Sequence, residues 1–342
     1  MLDDLHSASQ QKTKPDWYQE IAKYGRPDPR KAIWQLINTF IPYFVLWILM
    51  VYLVKQGYSY WITLALSIPA AALLVRIFIF FHDCCHGSFF ASHRANTILG
   101  YISGILTFTP FDEWRSSHAT HHVTAGDLDR RGTGDVWTMT VAEYLAAPRL
   151  KRLEYRIYRN PLVMFGLGPV FIFLILNRFS HKGARKHERR SVILTNIAVL
   201  AIIILATLTI GLREYLVIQL PVILIAGVFG IWLFYVQHQF ESVYWARHDA
   251  WDQMRAALEG SSYYKLPGVL QWFAGNIGLH HIHHIRPRIP NYNLQQCYDE
   301  ISALQAVKPL TIHSSLKSLW MNLWDEEQQK MVSFRSLSGQ KK

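Results

Sequence analysis

The chain has 342 residues, 51% of them hydrophobic and 14% aromatic, with twelve tryptophans and a formal charge of +11. The apolar residues fall in long blocks flanked by basic ones, so a bilayer with a basic cytoplasmic face accounts for the charge and nucleic acid is set aside as a partner. Three cysteines, the adjacent Cys84 and Cys85 and the distant Cys297, cannot build a disulfide framework and fit a reducing, cytosol-facing location.

Residues 1–31 read as a cytosolic tail with an interfacial helix around Trp17 to Tyr24. The polar start from Met1 to Lys14 has no apolar stretch behind it, so no cleavable signal peptide is expected. A first span is predicted from Ile33 to Val54 and a second from Tyr60 to Phe81, each long enough to cross a bilayer. Arg76, near the end of the second, is expected to snorkel towards the headgroups. His82 follows at once, at the membrane surface.

The run from Ala95 to Pro110 is apolar but short. A polar segment containing Asp127, Asp129, Arg130, Arg131 and Asp135 comes next, and 137–160 read as amphipathic surface helices. Leu162 to Phe179 is apolar again, interrupted by Gly166, Gly168 and Pro169. Two further spans are expected at Val192 to Leu212 and Tyr215 to Val236, and the chain is mostly polar from Gln237 onward. The basic stretches 149–159 and 178–190 belong on the cytoplasmic side, so the broken run between them dips into the bilayer and returns. Hydropathy alone also admits six spans. The expected fold is an all-α integral membrane protein with about four transmembrane helices, two embedded segments and a cytoplasmic helical cap. It forms one domain over 32–336, with a polar tail at 337–342.

Three histidine clusters stand out. His280-His281-Ile282-His283-His284 puts four imidazoles into five positions, and on a helix His280, His283 and His284 share a face while His281 points elsewhere. The same H-x-x-H-H spacing recurs at His118, His121 and His122, and His82 and His86 are four apart. His238, where the last span leaves the membrane, is a ninth candidate. One metal does not take nine imidazoles, so two are implied. Donor type leaves iron, copper, nickel and zinc open.

A polyhistidine site at the mouth of a membrane bundle can meet an acyl chain end-on, where two irons would activate dioxygen against an unactivated C–H bond. Asp83, Asp112, Asp127, Asp135, Glu241 and Asp249 are candidate partners for the second ring nitrogens. Cys84 and Cys85 read as packing beneath the site rather than ligands. Asn276, four residues before His280, reads as a packing or turn residue in preference to a holder of water. His6, His93, His181, His187, His248, His281 and His313 fall outside the scheme, as polar surface or supporting groups.

The boxes HDCCH (82–86), HATHH (118–122) and HHIHH (280–284), in this order, resemble those of the membrane-bound fatty acid desaturases. The stretches 80–86, 131–137, 235–241 and 275–280 look closest to the bacterial acyl-lipid desaturases, and the likeness runs from about residue 30 to 335. It implies a cis double bond introduced into acyl chains of membrane phospholipids, at a diiron centre, with O2 as oxidant. Electrons would come from a small carrier such as ferredoxin or flavodoxin, and the histidine matching His238 is a ligand in that family. The chain carries no His-Pro-Gly-Gly motif of a fused cytochrome b5, so a separate carrier is expected, steered by the basic face if it is acidic. The resemblance places the chain in the cell membrane as a multi-pass enzyme with its boxes on the cytoplasmic side.

A hydroxylase of the same superfamily is the nearest rival, because the same centre can insert oxygen. A metal transporter or sensor would place ionisable groups mid-span, whereas these clusters sit at span ends. A bis-histidine haem protein would leave most of the histidines unused.

Overall fold

The computed structural model describes residues 15–338. His6 and the outer parts of both expected tails lie outside the described residues.

Helix α1 (Trp17–Glu20) runs into a 3-10 turn at Ile21–Gly25. Then α2 (Pro29–Lys55) starts where its composition says it should. The Asp28 carboxylate accepts the N–H groups of Arg30 and Lys31, and Pro29 occupies the first turn, where no N–H is needed. Helix α3 (Tyr60–His86) stops at Gly87, whose φ of +65° makes a left-handed cap that other residues adopt poorly. With α8 (Lys186–Thr209) and α9 (Leu212–His238), these are the four helices long and apolar enough to cross a membrane. They match the four predicted spans, but α3 continues through the whole first box and α9 through His238.

The helices form two hairpins. Lys55 donates to the Thr209 carbonyl and the Tyr60 hydroxyl to that of Val217, tying the hairpins together at their connecting end. The start of α2, the end of α3, the start of α8 and the end of α9 therefore share the opposite end. Helix α3 is the axis: 61% of its most apolar window is buried, against 17% for α2 and for α8. Its Ala70, Ala71, Leu74 and Ile77 pack with Ile218, Val222 and Ile223 of α9 and with Tyr43 and Met50 of α2. Ile37, Ile41, Phe44 and Ile48 on α2 and Ile193, Ile197, Leu200 and Leu208 on α8 stay exposed, as an apolar face in contact with lipid should.

Between the hairpins, α4 (His93–Leu106) and α5 (Phe111–Thr124) form a corner. Gly100 makes it possible, since a Cβ there would lie 2.2 Å from the Phe111 ring. The short helices α6 (Val141–Ala146) and α7 (Arg149–Tyr158) occupy the expected amphipathic stretch. The broken run follows as two π-helical turns, Leu162–Leu167 and Val170–Ile175, bent 59° away from α7.

The cap is made of α10 (Gln253–Leu258), α11 (Gly268–Phe273), α12 (His280–Ile285) and α13 (Asn291–Glu300), with the single turn α14 (Ile312–Ser315) beyond. Two small sheets, which hydropathy gave no sign of, staple it. Strand β1 (Met139–Thr140) runs parallel to β4 (Leu323–Asp325), which pairs antiparallel with β5 (Lys330–Val332). Strand β2 (Tyr263–Lys265) runs parallel to β3 (Pro309–Thr311).

Two expectations need correction. The segment 17–25 does not trail in solvent, because Ile21 and Tyr24 are buried against Leu294, Cys297 and Ile301 of the cap. Arg76 does not snorkel. It is only 3% exposed, with Nε on the Thr39 hydroxyl at 3.1 Å, Nη1 on the Trp272 carbonyl, and the guanidinium 4.1 Å from the Trp272 ring. Helix α11 packs over the guanidinium and closes its direct route to bulk water.

Candidate metal centre

All nine imidazoles converge at one end of the bundle, beneath the cap. They form two groups, and within each the ligand-type atoms lie within 4.8 Å of one another: His82, His86, His118, His122 and His283 in the first, His121, His238, His280 and His284 in the second. The partition follows helix geometry. Residues four apart turn 40° and stay together, whereas the i+3 residue, turned 60° to the other side, faces the neighbouring group. So the pairs 82/86, 118/122 and 280/284 are each kept in one group, while His121 and His283 cross to the other.

The ring atoms show what the groups are suited to hold. His121 Nδ1 lies 2.7 Å from the Asp135 carboxylate and His238 Nδ1 lies 3.1 Å from the Gly260 carbonyl. Both Nδ1 atoms must then carry the proton, which leaves both Nε2 atoms bare in the neutral rings. Those Nε2 atoms face each other at 3.1 Å, and His238 Nε2 lies 2.9 Å from His280 Nε2. Lone pair against lone pair is repulsive, and a shared cation removes the conflict. In the first group His122 Nε2 lies 3.1 Å from that of His118 and 2.9 Å from that of His283, while the buried Nε2 atoms of His82 and His86 have no partner among the described residues. Burial, with neighbouring imidazoles adding to it, holds His118, His122, His280, His283 and His284 well below the usual histidine range. Neutral imidazole is the form that binds metal. The residues fit two metal ions.

Of the six candidate carboxylates, two reach the centre. Asp135 bonds His121, and Asp83 Oδ1 lies 3.4 Å from His82 Nδ1. The others are engaged elsewhere or exposed: Asp127 holds Arg130 and His248, Asp112 accepts from the Tyr101 hydroxyl, and Glu241 and Asp249 face solvent. The support that residue-type reasoning missed is the Gly260 carbonyl, since main-chain groups leave no trace in composition. Cys84 is buried among Phe80, Phe81 and Phe89, as packing.

His281 does point away. It is fully buried, with Nε2 on the Leu304 carbonyl at 3.2 Å, so it sits inside the cap and not at the polar surface expected for it. Burial pushes it down to about 4. His93, His181, His187, His248 and His313 are exposed. Asn276 is a turn residue with φ +57°, its amide donating to the Asn291 carbonyl.

Four apolar helices of membrane-crossing length, closed at one end by a cap over nine imidazoles, seven of them buried and two half-buried, define a helical membrane protein with a polyhistidine dimetal centre. Comparison with known proteins agrees: residues 59–315 match the family described as fatty acid desaturase, and the chain belongs to that family of oxidoreductases. It is similar to a fatty acid desaturase of Bacillus subtilis (strain 168), 49% identical over 318 residues that cover 93% of this chain and 90% of the relative. More distant relatives are an sn-1 acyl-lipid omega-3 desaturase (ferredoxin) of Nostoc sp. (strain 36), 27% identical over 73% of this chain and 69% of its own, and an sn-1 oleoyl-lipid 12-desaturase of Synechocystis sp., 25% identical over 78% and 72%.

Proposed function

We propose that this fatty acid desaturase acts on acyl chains of membrane phospholipids, with two irons, O2 and electrons from a separate small carrier such as ferredoxin or flavodoxin. The observation that carries this reading is the pair of buried imidazole groups at one end of the four spans. His82, His86, His118, His122 and His283 would hold one iron, and His121, His238, His280 and His284 the other. When bound, the irons supply activation of O2 for removal of two hydrogens from adjacent carbons, and O2 leaves as two waters with two electrons and two protons from outside. The remaining tasks fall to the chain. Asp135 and the Gly260 carbonyl fix the tautomers of His121 and His238, Asp83 steadies His82, and the cap excludes bulk water. The charge of the stretches 149–159 and 178–190 supports a cytoplasmic placement of this end and docking of an acidic carrier. The relatives named for sn-1 acyl-lipid substrates and for ferredoxin support the substrate class and the donor.

The test is purified protein assayed for metal and for product. Two irons per chain without haem absorption are expected, along with O2-dependent formation of a cis-monounsaturated chain still esterified to labelled saturated phospholipid. Hydroxylated product, or product formed without oxygen, would sink this reading.

A further inference from the structure

A cavity of about 420 Å³ opens beside α2, α3 and α11, away from the imidazoles, lined by Lys31, Gln35, Asn38 and Arg76 among others. Its composition is odd for this depth. Arg76 is 3% exposed and pairs with no carboxylate among the described residues, and its two protein partners are neutral acceptors that occupy Nε and Nη1. Arginine stays protonated in proteins, and a buried charge without a counter-ion is costly. Nη2 makes no hydrogen bond to the described residues. Lys31, at the mouth, reaches only the Asn293 side-chain oxygen at 3.0 Å. Two cations therefore border one cavity with no anion to balance them.

The rim gives the depth. Trp34 is 63% exposed on the first turns of α2, and Trp272 is 37% exposed on α11. Indole side chains with one apolar and one wet side settle at headgroup level. Arg76 lies six residues before His82 on α3, about 9 Å along the axis at 1.5 Å per residue. One wall also connects to the metal centre. Gln35 donates to the Asn291 side chain at 2.9 Å, Asn291 donates to Asp83, and Asp83 lies beside His82.

We propose that this cavity binds the phosphodiester headgroup of the phospholipid whose acyl chain is desaturated, with Arg76 and Lys31 as its cationic contacts. The inference rests on the acyl-lipid reading above.

The test uses full-length, iron-loaded protein in detergent. Short-chain phosphatidylglycerol, dioctanoylglycerol and inorganic phosphate are titrated separately while fluorescence of the rim tryptophans and native mass are followed. Desaturation of the same phosphatidylglycerol is measured in parallel. Phosphatidylglycerol is expected to bind at least about tenfold more tightly than dioctanoylglycerol, and Lys31→Gln and Arg76→Gln should each weaken it by about tenfold or more, the worth of one charged hydrogen bond. Dioctanoylglycerol binding should not change. KM should rise in both variants. Inorganic phosphate should compete with the phospholipid in the wild type, and failure to compete would tell against phosphate recognition. Arg76 is buried, so iron content and the melting curve of that variant are checked first. Lys31→Gln, at the exposed mouth, keeps the test alive should Arg76→Gln unfold. Wild-type affinity and KM in a folded Lys31→Gln, with phosphatidylglycerol still desaturated, overturn the cavity assignment alone. Normal phosphatidylglycerol binding without its desaturation overturns the acyl-lipid reading instead, and with it the cavity as a substrate site.

Discussion

Asp83 and Asn291, 208 positions apart, are clasped together: Asp83 Oδ2 accepts both the main-chain N–H of Asn291 at 2.7 Å and its side-chain amide at 2.8 Å. The other oxygen of the same carboxylate lies beside His82 Nδ1. This joins the first residue of α13 to the end of α3 and fixes a carboxylate behind one imidazole. Both residues are buried, so Asn291→Leu keeps the main-chain N–H but leaves one lone-pair direction of Asp83 and the Gln35 side-chain amide unmet, at about 1–3 kcal/mol each. Loss of a supporting group of this kind typically lowers metal affinity about 10–100-fold. Iron measured after dialysis against a chelator should fall in Asn291→Leu, with the loss confined to one ion per chain. Loss of both, or of neither, would contradict the role given to Asp83.

His238 and His281 give a sharper contrast, because counting histidines in a motif ranks them the wrong way round. His238→Ala removes one of the four imidazoles of the second group and should abolish desaturation and release iron. His281→Ala should keep both irons and substantial activity while costing stability, since it leaves the Leu304 carbonyl unbonded and opens a gap in the core, about 1–3 kcal/mol for the polar part. Iron content and melting curves of equal amounts of folded protein decide it. Iron loss in His281→Ala with retention in His238→Ala would mean that the ligand sets are wrong.

The division into five and four has its own test. His238→Ala combined with His121→Ala strikes one group twice, so its iron content should match that of either single variant. His238→Ala combined with His118→Ala strikes both groups and should leave the protein without iron. Equal iron in the two double variants would show that the groups do not bind separately.

Gly278 is a third point of leverage. A Cβ there would lie 2.3 Å from the main-chain oxygen of Tyr264, while the Gly278 carbonyl accepts the Tyr264 N–H at 2.7 Å. Backbone cannot move aside as a flexible side chain can, so Gly278→Ala must push apart β2 and the turn leading into α12, at about 1–3 kcal/mol. The expected result is a lower melting temperature together with reduced iron, because His280 follows two residues later. Unchanged iron would mean that α12 is held by other contacts.

Electron delivery should depend on salt. Exposed charges are screened beyond about 10 Å at 0.1 M ionic strength. With a soluble acidic carrier, the apparent KM for the carrier should rise as salt is added while the maximal rate changes little. An unchanged KM would place the docking surface away from the basic stretches.

The sequence alone located four apolar runs of membrane-crossing length and three histidine clusters, with His82 at the end of one run, and showed that His280, His283 and His284 share a face from which His281 turns away. Those properties follow from periodicities of a single helix and from runs of apolar residues, both local. Tertiary structure decided how the imidazoles divide. A triple on one face carries no mark of which ring joins which group; that depends on where the facing helices stand, and α5 and α12 each send one imidazole across. It also decided that Asp83 and Asp135, and not Asp112, Asp127, Glu241 or Asp249, support the centre, since the choice among six acids rests on distances between segments remote in sequence. The burial of Arg76 was hidden for the same reason. A cation near a span end reads as one bound for water, and only the placement of α11 over it, nearly two hundred residues later in the chain, removes that route.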